Sequence, residues 1–307
     1  MQSDAPKVSI CIPAYNASRY IKEALYSIRE QLYSNWEVII VEDGSNDGTE
    51  EIVNNFKSEI SQDVIYIKQK HNLGLSATRN TAVRFATGRW IALLDSDDLW
   101  DKNHLIDLVN ISLAQPECNL IHSEVSVFDS ATGSKLPSNF VSREAINQLP
   151  LSLFTGDYSI QPSAAMISRD LYTAIGGFEI RLRSCEDKEM WFKCIKAGCK
   201  FTTTGKATSY YRKHSNTLSA QTVNMAVSMA EVYSIYADWE DIPRYIRMRY
   251  AADAWLSAAR ITRSSDNKLA KIYLSKSFNY QKSYKQVCFW LLINFPLLSF
   301  LFKKLKQ

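Results

Sequence analysis

Apolar and polar positions alternate between two periods over the first hundred residues. Val8-Ser9-Ile10-Cys11-Ile12, Trp36-Glu37-Val38-Ile39-Ile40-Val41, Val64-Ile65-Tyr66-Ile67 and Trp90 to Leu94 are short apolar runs bounded by turn residues, the pattern of buried strands. Between them Ile21, Ala24, Leu25, Ile28 and Leu32 fall on one helical face, Ile52, Val53 and Phe56 mark a second helix, and Leu75 to Ala86 a third. Asn16 or Ser18 is expected to cap the first helix, and Asp47 with Thr49 the second. Repeated strand–helix units with apolar strands predict an α/β fold, a mostly parallel sheet covered by helices on both faces.

Beyond Asp98 the pattern loosens. Leu105 to Leu113 reads as a helix and Leu120 to Val127 as a strand. Ser130 to Tyr158 has no strong period and is expected to be a variable excursion. Ser163 to Ile167 predicts a strand, Asp187 to Ala197 a helix, and Phe201–Thr204 and Thr208–Arg212 two short strands. From Ala220 onward the chain reads as helical and rich in aromatic residues. The expected division is an α/β body over 1–218 and a helical extension over 219–307.

Composition changes this picture in two places. Six cysteines with no Cys-x-x-Cys pair and no zinc spacing predict reduced thiols in a cytosolic protein. The polar start, Met1 to Lys7, has no secretory apolar core. From Arg260 to Gln307 ten Lys and Arg accompany a single acid, Asp266, so this segment carries +9 against +4 for the whole chain and −5 for the rest. It also holds a mostly apolar run, Val287 to Phe302, interrupted by Pro296 and followed by Lys303-Lys304-Leu305-Lys306. That run is shorter than the ~20 residues a spanning helix needs. Residues 287–306 are therefore expected to lie in a membrane surface, which places the protein peripherally on the inner face of the cell membrane. The alternative is a helix pair packed on the body or on a partner subunit, as in a homodimer. Nucleic acid is not an expected partner, because the aromatics of this tail sit within its apolar run.

The chemistry concentrates at Asp95-Ser96-Asp97-Asp98, three carboxylates at the end of a buried strand. Crowded carboxylates raise one another's pKa unless a cation lies among them. Oxygen donors beside a diphosphate suit Mn²⁺ or Mg²⁺, and strand ends of an open α/β sheet are where ligands bind. The plainer alternative is that Asp98 caps the next helix and the others face water. Tyr15, at the end of the first strand, can stack on a base, and Asp43, followed by glycines, can accept from base N–H groups or from its own loop.

Taken in order, Val8 to Asn16, Val41 to Thr49, Asn72-Leu73-Gly74-Leu75-Ser76-Ala77-Thr78-Arg79-Asn80, Asp95 to Asp98, Gly176-Gly177-Phe178 and Cys185-Glu186-Asp187 resemble the motifs of the family 2 inverting glycosyltransferases of GT-A fold, of the bacterial cell-surface polysaccharide type. The resemblance covers about residues 7–215. It implies that Pro13, Ala14, Tyr15, Asp43, Arg79, Asp95 and Ser96 bind the nucleotide sugar and that Asp97 and His214 hold Mn²⁺ or Mg²⁺, with Arg212 and Lys213 close to phosphate. It implies that Asp187 is the catalytic base, with Glu186 and Trp191 toward the acceptor. The implied activity is hexosyl or N-acetylhexosaminyl transfer, one sugar at a time, from a UDP-sugar to a glycan or lipid-linked glycan. A processive synthase would carry a Gln-x-x-Arg-Trp motif, and a nucleotidyltransferase a glycine-rich loop after the first strand; neither is present. The competing class is a non-catalytic nucleotide-sugar- or membrane-binding subunit of the same fold.

Overall fold

Every residue of β1 (Val8–Ala14) and β2 (Trp36–Glu42) is buried, as continuous apolar strands covered on both faces require. The computed structural model of the chain describes residues 5–136, 143–214 and 222–294. Between these strands runs α1 (Ile21–Arg29), which buries Ile21, Ala24, Leu25 and Ile28. Leu32, expected on the same stripe, lies beyond the helix end and is exposed. The expected caps are also corrected. Tyr20 precedes α1 without a side-chain cap, and Ser18 instead donates its backbone N–H to Asp47 at 2.8 Å. Asp47 accepts from Thr49 Oγ1 at 2.7 Å, just before α2 (Thr49–Glu59), whose N-cap position is Gly48.

The remaining strands are β3 (Val64–Lys68), β4 (Trp90–Leu93), β5 (Leu99–Trp100), β6 (Leu120–Asp129), β7 (Lys135–Leu136), β8 (Ala165–Ser168) and β9 (Phe201–Lys213). Among them lie α3 (Leu75–Phe85), α4 (His104–Ala114), α5 (Arg143–Asn147), α6 (Leu151–Thr155), α7 (Arg169–Ala174) and α8 (Glu186–Lys196). The sheet order is β3-β2-β1-β4-β8-β6-β9-β5, with β7 added to β6. The first four strands are parallel; β8 runs antiparallel to both β4 and β6, and β9 runs parallel to β6.

Two features of this topology position the site. The chain leaves β1 for β2 and β3 on one side, then returns to place β4 on the other. The crevice beyond the C-terminal ends of β1 and β4 is thus a topological switch point, where α/β sheets bind ligands. Farther along, β5 pairs with β9 through Leu99↔Tyr210 and Trp100↔Ser209. The acidic turn that precedes β5 is thereby brought beside the end of β9. The two short strands expected over 201–212 are one long strand with a register irregularity opposite His122–Val125.

The chain divides into two compact units, Met1–Arg181 with Glu186–Ser215, and Leu182–Cys185 with Asn216–Gln307. The boundary expected at 218–219 lies outside the described residues. The second unit holds α9 (Thr222–Ile235), α10 (Arg244–Thr262), α11 (Asn267–Tyr280) and α12 (Tyr284–Asn294). Leu256, Ala259, Ala270, Leu274, Phe289 and Ile293 form its core. A buried polar chain joins three helices: Gln286 Nε2 donates to Ser277 Oγ, and Ser277 Oγ to Ala252 O, each at 2.6 Å. Among the described residues no helix is long and apolar enough to cross a membrane. Of the expected surface segment 287–306, residues 295–306 lie outside the described residues.

Candidate functional site

At the end of β1, Pro13 and Ala14 are buried and Tyr15 is 53% exposed, so the strand terminates in an open aromatic ring. One strand over, Asp43 follows β2. It is buried, and both of its oxygens grip one loop: Oδ1 accepts from Leu73 N at 2.7 Å and Oδ2 from Gly74 N at 2.9 Å. Gly44 is what lets the two segments meet. Its φ is +74°, and a Cβ there would lie 2.7 Å from His71 C.

Arg79, on α3, is buried between two carboxylates. One nitrogen donates to Asp95 Oδ1 at 2.5 Å and the other to Glu186 Oε1 at 2.6 Å. Burial works against the guanidinium charge, but Asp95 and Glu186 outweigh it and hold its pKa above the usual range. Its plane also lies 5.2 Å from the Phe178 ring. Phe178 is fixed by the neighbouring Asn80, whose Oδ1 accepts from Phe178 N at 2.9 Å and whose Nδ2 donates to Phe178 O at 2.9 Å. A Cβ on Gly177 would meet Asn80 Oδ1 at 2.7 Å, so the Gly176-Gly177-Phe178 run keeps its close approach only with glycine. The structure thus links Arg79, Asp95 and Glu186 directly.

In the acidic turn, Asp95, Ser96 and Asp97 are half-buried and Asp98 is fully buried. Asp97 Oδ2 lies 2.9 Å from His214 Nε2. Burial raises the Asp97 carboxyl, the charge of Asp95 raises it further, and His214 counters them in part. Asp98 is pushed well above the carboxylate range by burial first, then by Asp97 and Asp95. It does not cap the following helix. Its oxygens accept from Ser163 Oγ at 2.6 Å and Arg212 N at 2.9 Å.

Glu186 and Asp187 open α8, where carboxylates complement the helix dipole. Asp187 is half-buried, and Oδ1 accepts from Lys188 N at 2.7 Å. Burial and then the charge of Glu186 lift its carboxyl to about 6. The two non-glycine residues with positive φ among the described residues adjoin site residues: Asn16 (φ 50°) follows Tyr15, and Cys185 (φ 58°) precedes Glu186. Trp191 departs from its expected role at the acceptor. It is 1% exposed and donates its indole N–H to Ile160 O at 2.9 Å, which makes it a core side chain of α8.

Residues 9–176 match the model of the family described as Glycosyl transferase family 2. The chain belongs to that family. It is 28% identical over 221 residues to the putative teichuronic acid biosynthesis glycosyltransferase TuaG of Bacillus subtilis, covering 70% of this chain and 82% of that one. It is 28% identical over 228 residues to the UDP-Glc:alpha-D-GlcNAc-diphosphoundecaprenol beta-1,3-glucosyltransferase WfaP of Escherichia coli, covering 73% and 84%. Among solved structures, S. aureus TarS 1–349 in complex with UDP-GlcNAc aligns over 88% of this chain and 79% of that one, with a TM-score of 0.68 and 20% identity. The mannosyltransferase PcManGT of Pyrobaculum calidifontis, in complex with GDP-Man and Mn²⁺, aligns over 95% and 85%, with a TM-score of 0.62 and 19% identity. The fold is that of the GT-A glycosyltransferases, and the protein is a family 2 glycosyltransferase acting on a nucleotide sugar.

Family 2 residues at this site fit a divalent cation. Among the described residues no group of three or more His, Cys, Asp or Glu side chains forms a ready-made cage. Asp97 and His214 supply two donors within hydrogen-bond distance, in a turn whose carboxylates repel one another. Two protein donors completed by substrate phosphate oxygens is a common arrangement for Mg²⁺-type sites. The sequence motifs miss Ser163, Tyr20 and Glu23, all of which touch the acidic turn or its partners. A serine at the start of a predicted strand carries no signal of its own. Arg212, expected near phosphate, is buried and occupied within the protein.

Proposed function

We infer that this glycosyltransferase transfers a single sugar with inversion from a UDP-sugar to a hydroxyl of a lipid-linked glycan, in the synthesis of a cell-surface polysaccharide. The observation that carries the reading is Asp187 at the start of α8, next in sequence to Glu186, which Arg79 bridges to Asp95. A carboxylate with a pKa of about 6, set at a helix start, thus adjoins the residue bridged to the turn at the switch point. A base of that value is charged at neutral pH and still able to take a proton.

In this reading Tyr15 stacks on the base, Pro13 and Ala14 form the floor beneath it, and Asp43 braces the loop at Leu73–Gly74 that borders it. Asp95 and Ser96 hold the ribose side of the donor. Arg79 acts through Asp95 and Glu186, because both ends of its fork are taken by them. Asp97 and His214 would hold Mn²⁺ or Mg²⁺, which supplies neutralising charge to the departing diphosphate. Asp187 accepts the proton of the acceptor hydroxyl as its oxygen bonds to the anomeric carbon. The bond from that carbon to the nucleotide breaks on the opposite side, and a nucleoside diphosphate leaves. Glu186 keeps Asp187 oriented through its bond to Arg79.

The donor and acceptor classes are supported by relatives: the name of WfaP gives a UDP-glucose donor and a diphosphoundecaprenol-linked acceptor, and TarS was crystallised with UDP-GlcNAc. A membrane-borne acceptor also suits the basic, partly apolar C-terminal unit. The test is Asp187→Asn. Donor binding should stay within about twofold of wild type while transfer falls by ~10²–10⁴-fold. Transfer at the wild-type rate would remove Asp187 from the reaction.

A further inference from the structure

Asp98, the third carboxylate of the acidic turn, is fully engaged inside the protein. Its Oδ2 accepts from Ser163 Oγ at 2.6 Å, and its Oδ1 accepts from Arg212 N at 2.9 Å. Both partners reach back to the same turn. Ser163 Oγ accepts from Asp95 N at 3.0 Å, and Arg212 Nε donates to Asp97 O at 2.7 Å. The other arm of Arg212 donates to Glu23 Oε2 at 2.9 Å. Its guanidinium sits 4.7 Å from the Tyr20 ring and 4.8 Å from the Phe128 ring. Two residues farther on, His214 lies against Asp97, and its ring centroid is 4.9 Å from that of Tyr20.

We propose that Asp98, Ser163 and Arg212 form a bracket that fixes Asp97 and His214 as a divalent-cation seat, with Arg212 a positioning residue rather than a phosphate ligand. The proposal rests on the metal reading given above and deepens it. Asp97 and His214 come from different elements, the turn after β4 and the end of β9. A seat with only two protein donors depends on how well those donors are held. The bracket ties the backbone of the turn at Asp95 N and at Asp97 O, and ties both to β9, the strand that His214 directly follows. It also accounts for arginine at 212. A fork is needed to reach Asp97 O and Glu23 together, and a planar cation fits between two rings, neither of which an ammonium provides.

The test is Mn²⁺ binding by the full chain, followed by the electron paramagnetic resonance signal of free Mn²⁺. It is run in the presence of whichever of UDP, GDP, CDP and dTDP stabilises the wild type most. Asp98→Asn and Arg212→Lys should each weaken Mn²⁺ binding by about 10–100-fold. Their melting temperatures without Mn²⁺ should stay close to wild type. Glu23→Gln, at the outer and exposed end of the bracket, should weaken binding by only about twofold. Wild-type Mn²⁺ affinity in both Asp98→Asn and Arg212→Lys would overturn the bracket and leave the metal reading standing. A wild-type protein that binds a nucleoside diphosphate without taking up Mn²⁺ would overturn the metal reading, and the bracket with it. If Asp98→Asn does not fold, Ser163→Ala removes the same link from the other side and decides the case.

Discussion

Asp187 has its carboxyl raised to about 6, by burial and then by Glu186. As a base it works only when charged. The rate of transfer at low substrate is therefore expected to rise about tenfold per pH unit below that value and to level off above it. Stability runs the other way. The folded protein keeps the Asp187 proton up to about 6, whereas the unfolded chain releases it near ~3.9. This group's contribution is thus fully present below ~4 and is lost as pH rises through about 6. Nucleotide release measured across this range checks the first claim; a flat profile that Asp187→Asn leaves unchanged in shape contradicts it. At this scale the motifs point to candidate residues but not to the partners that hold them. Arg79 reads from its motif as a nucleotide contact, yet both arms of its fork are taken within the protein, one by Asp95 and one by Glu186, 107 positions along the chain. Arg212 read as a phosphate contact, because nothing in Tyr211-Arg212-Lys213 announces that Asp98, 114 positions earlier, takes its backbone N–H.

At the scale of elements, the turn after β2 depends on one glycine. Gly44 combines a positive φ with backbone atoms of His71 and Asn72 at 2.7 and 2.8 Å from any added Cβ. Gly44→Ala is expected to cost about 1–3 kcal/mol of stability and to weaken donor binding, since Asp43 would lose its grip on Leu73 and Gly74. Thermal denaturation and donor titration check this; an alanine variant with wild-type values in both would show that the two segments do not need their close approach. The strands were readable because burial on both faces leaves an unbroken apolar run. Where that condition fails, reading falters. Gly205 and Lys206 interrupt β9 with exposed positions, which split one strand into two expected ones. Asn16 and Ser18 have cap chemistry, yet α1 starts later, because Asn16 adopts φ 50° and the Ser18 N–H goes to Asp47. The Ser130–Tyr158 excursion holds β7, α5 and α6, elements of five residues or fewer that present too little periodicity to read.

For the whole molecule, the strand order that puts β1 and β4 side by side sets where the proposed site lies, because the segments carrying Tyr15 and the acidic turn follow these adjacent parallel strands. The second unit buries Gln286, Phe289 and Ile293 on one face of α12 while Tyr284, Val287 and Trp290 stay exposed near Lys282 and Lys285. An aromatic and basic face of this kind is expected to hold the chain on anionic vesicles in a flotation assay, more weakly at high salt; equal recovery with neutral and anionic vesicles would contradict it. The switch-point crevice is expected to bind a nucleotide sugar through Asp97 and a divalent cation. The most direct measurement is thermal shift and nucleotide release for the full chain with Mn²⁺ and each common nucleotide sugar, with Asp97→Ala alongside. Stabilisation by a UDP-sugar that requires Mn²⁺ and vanishes in Asp97→Ala is the expected result. A donor that binds equally well without the cation and in the variant would contradict it.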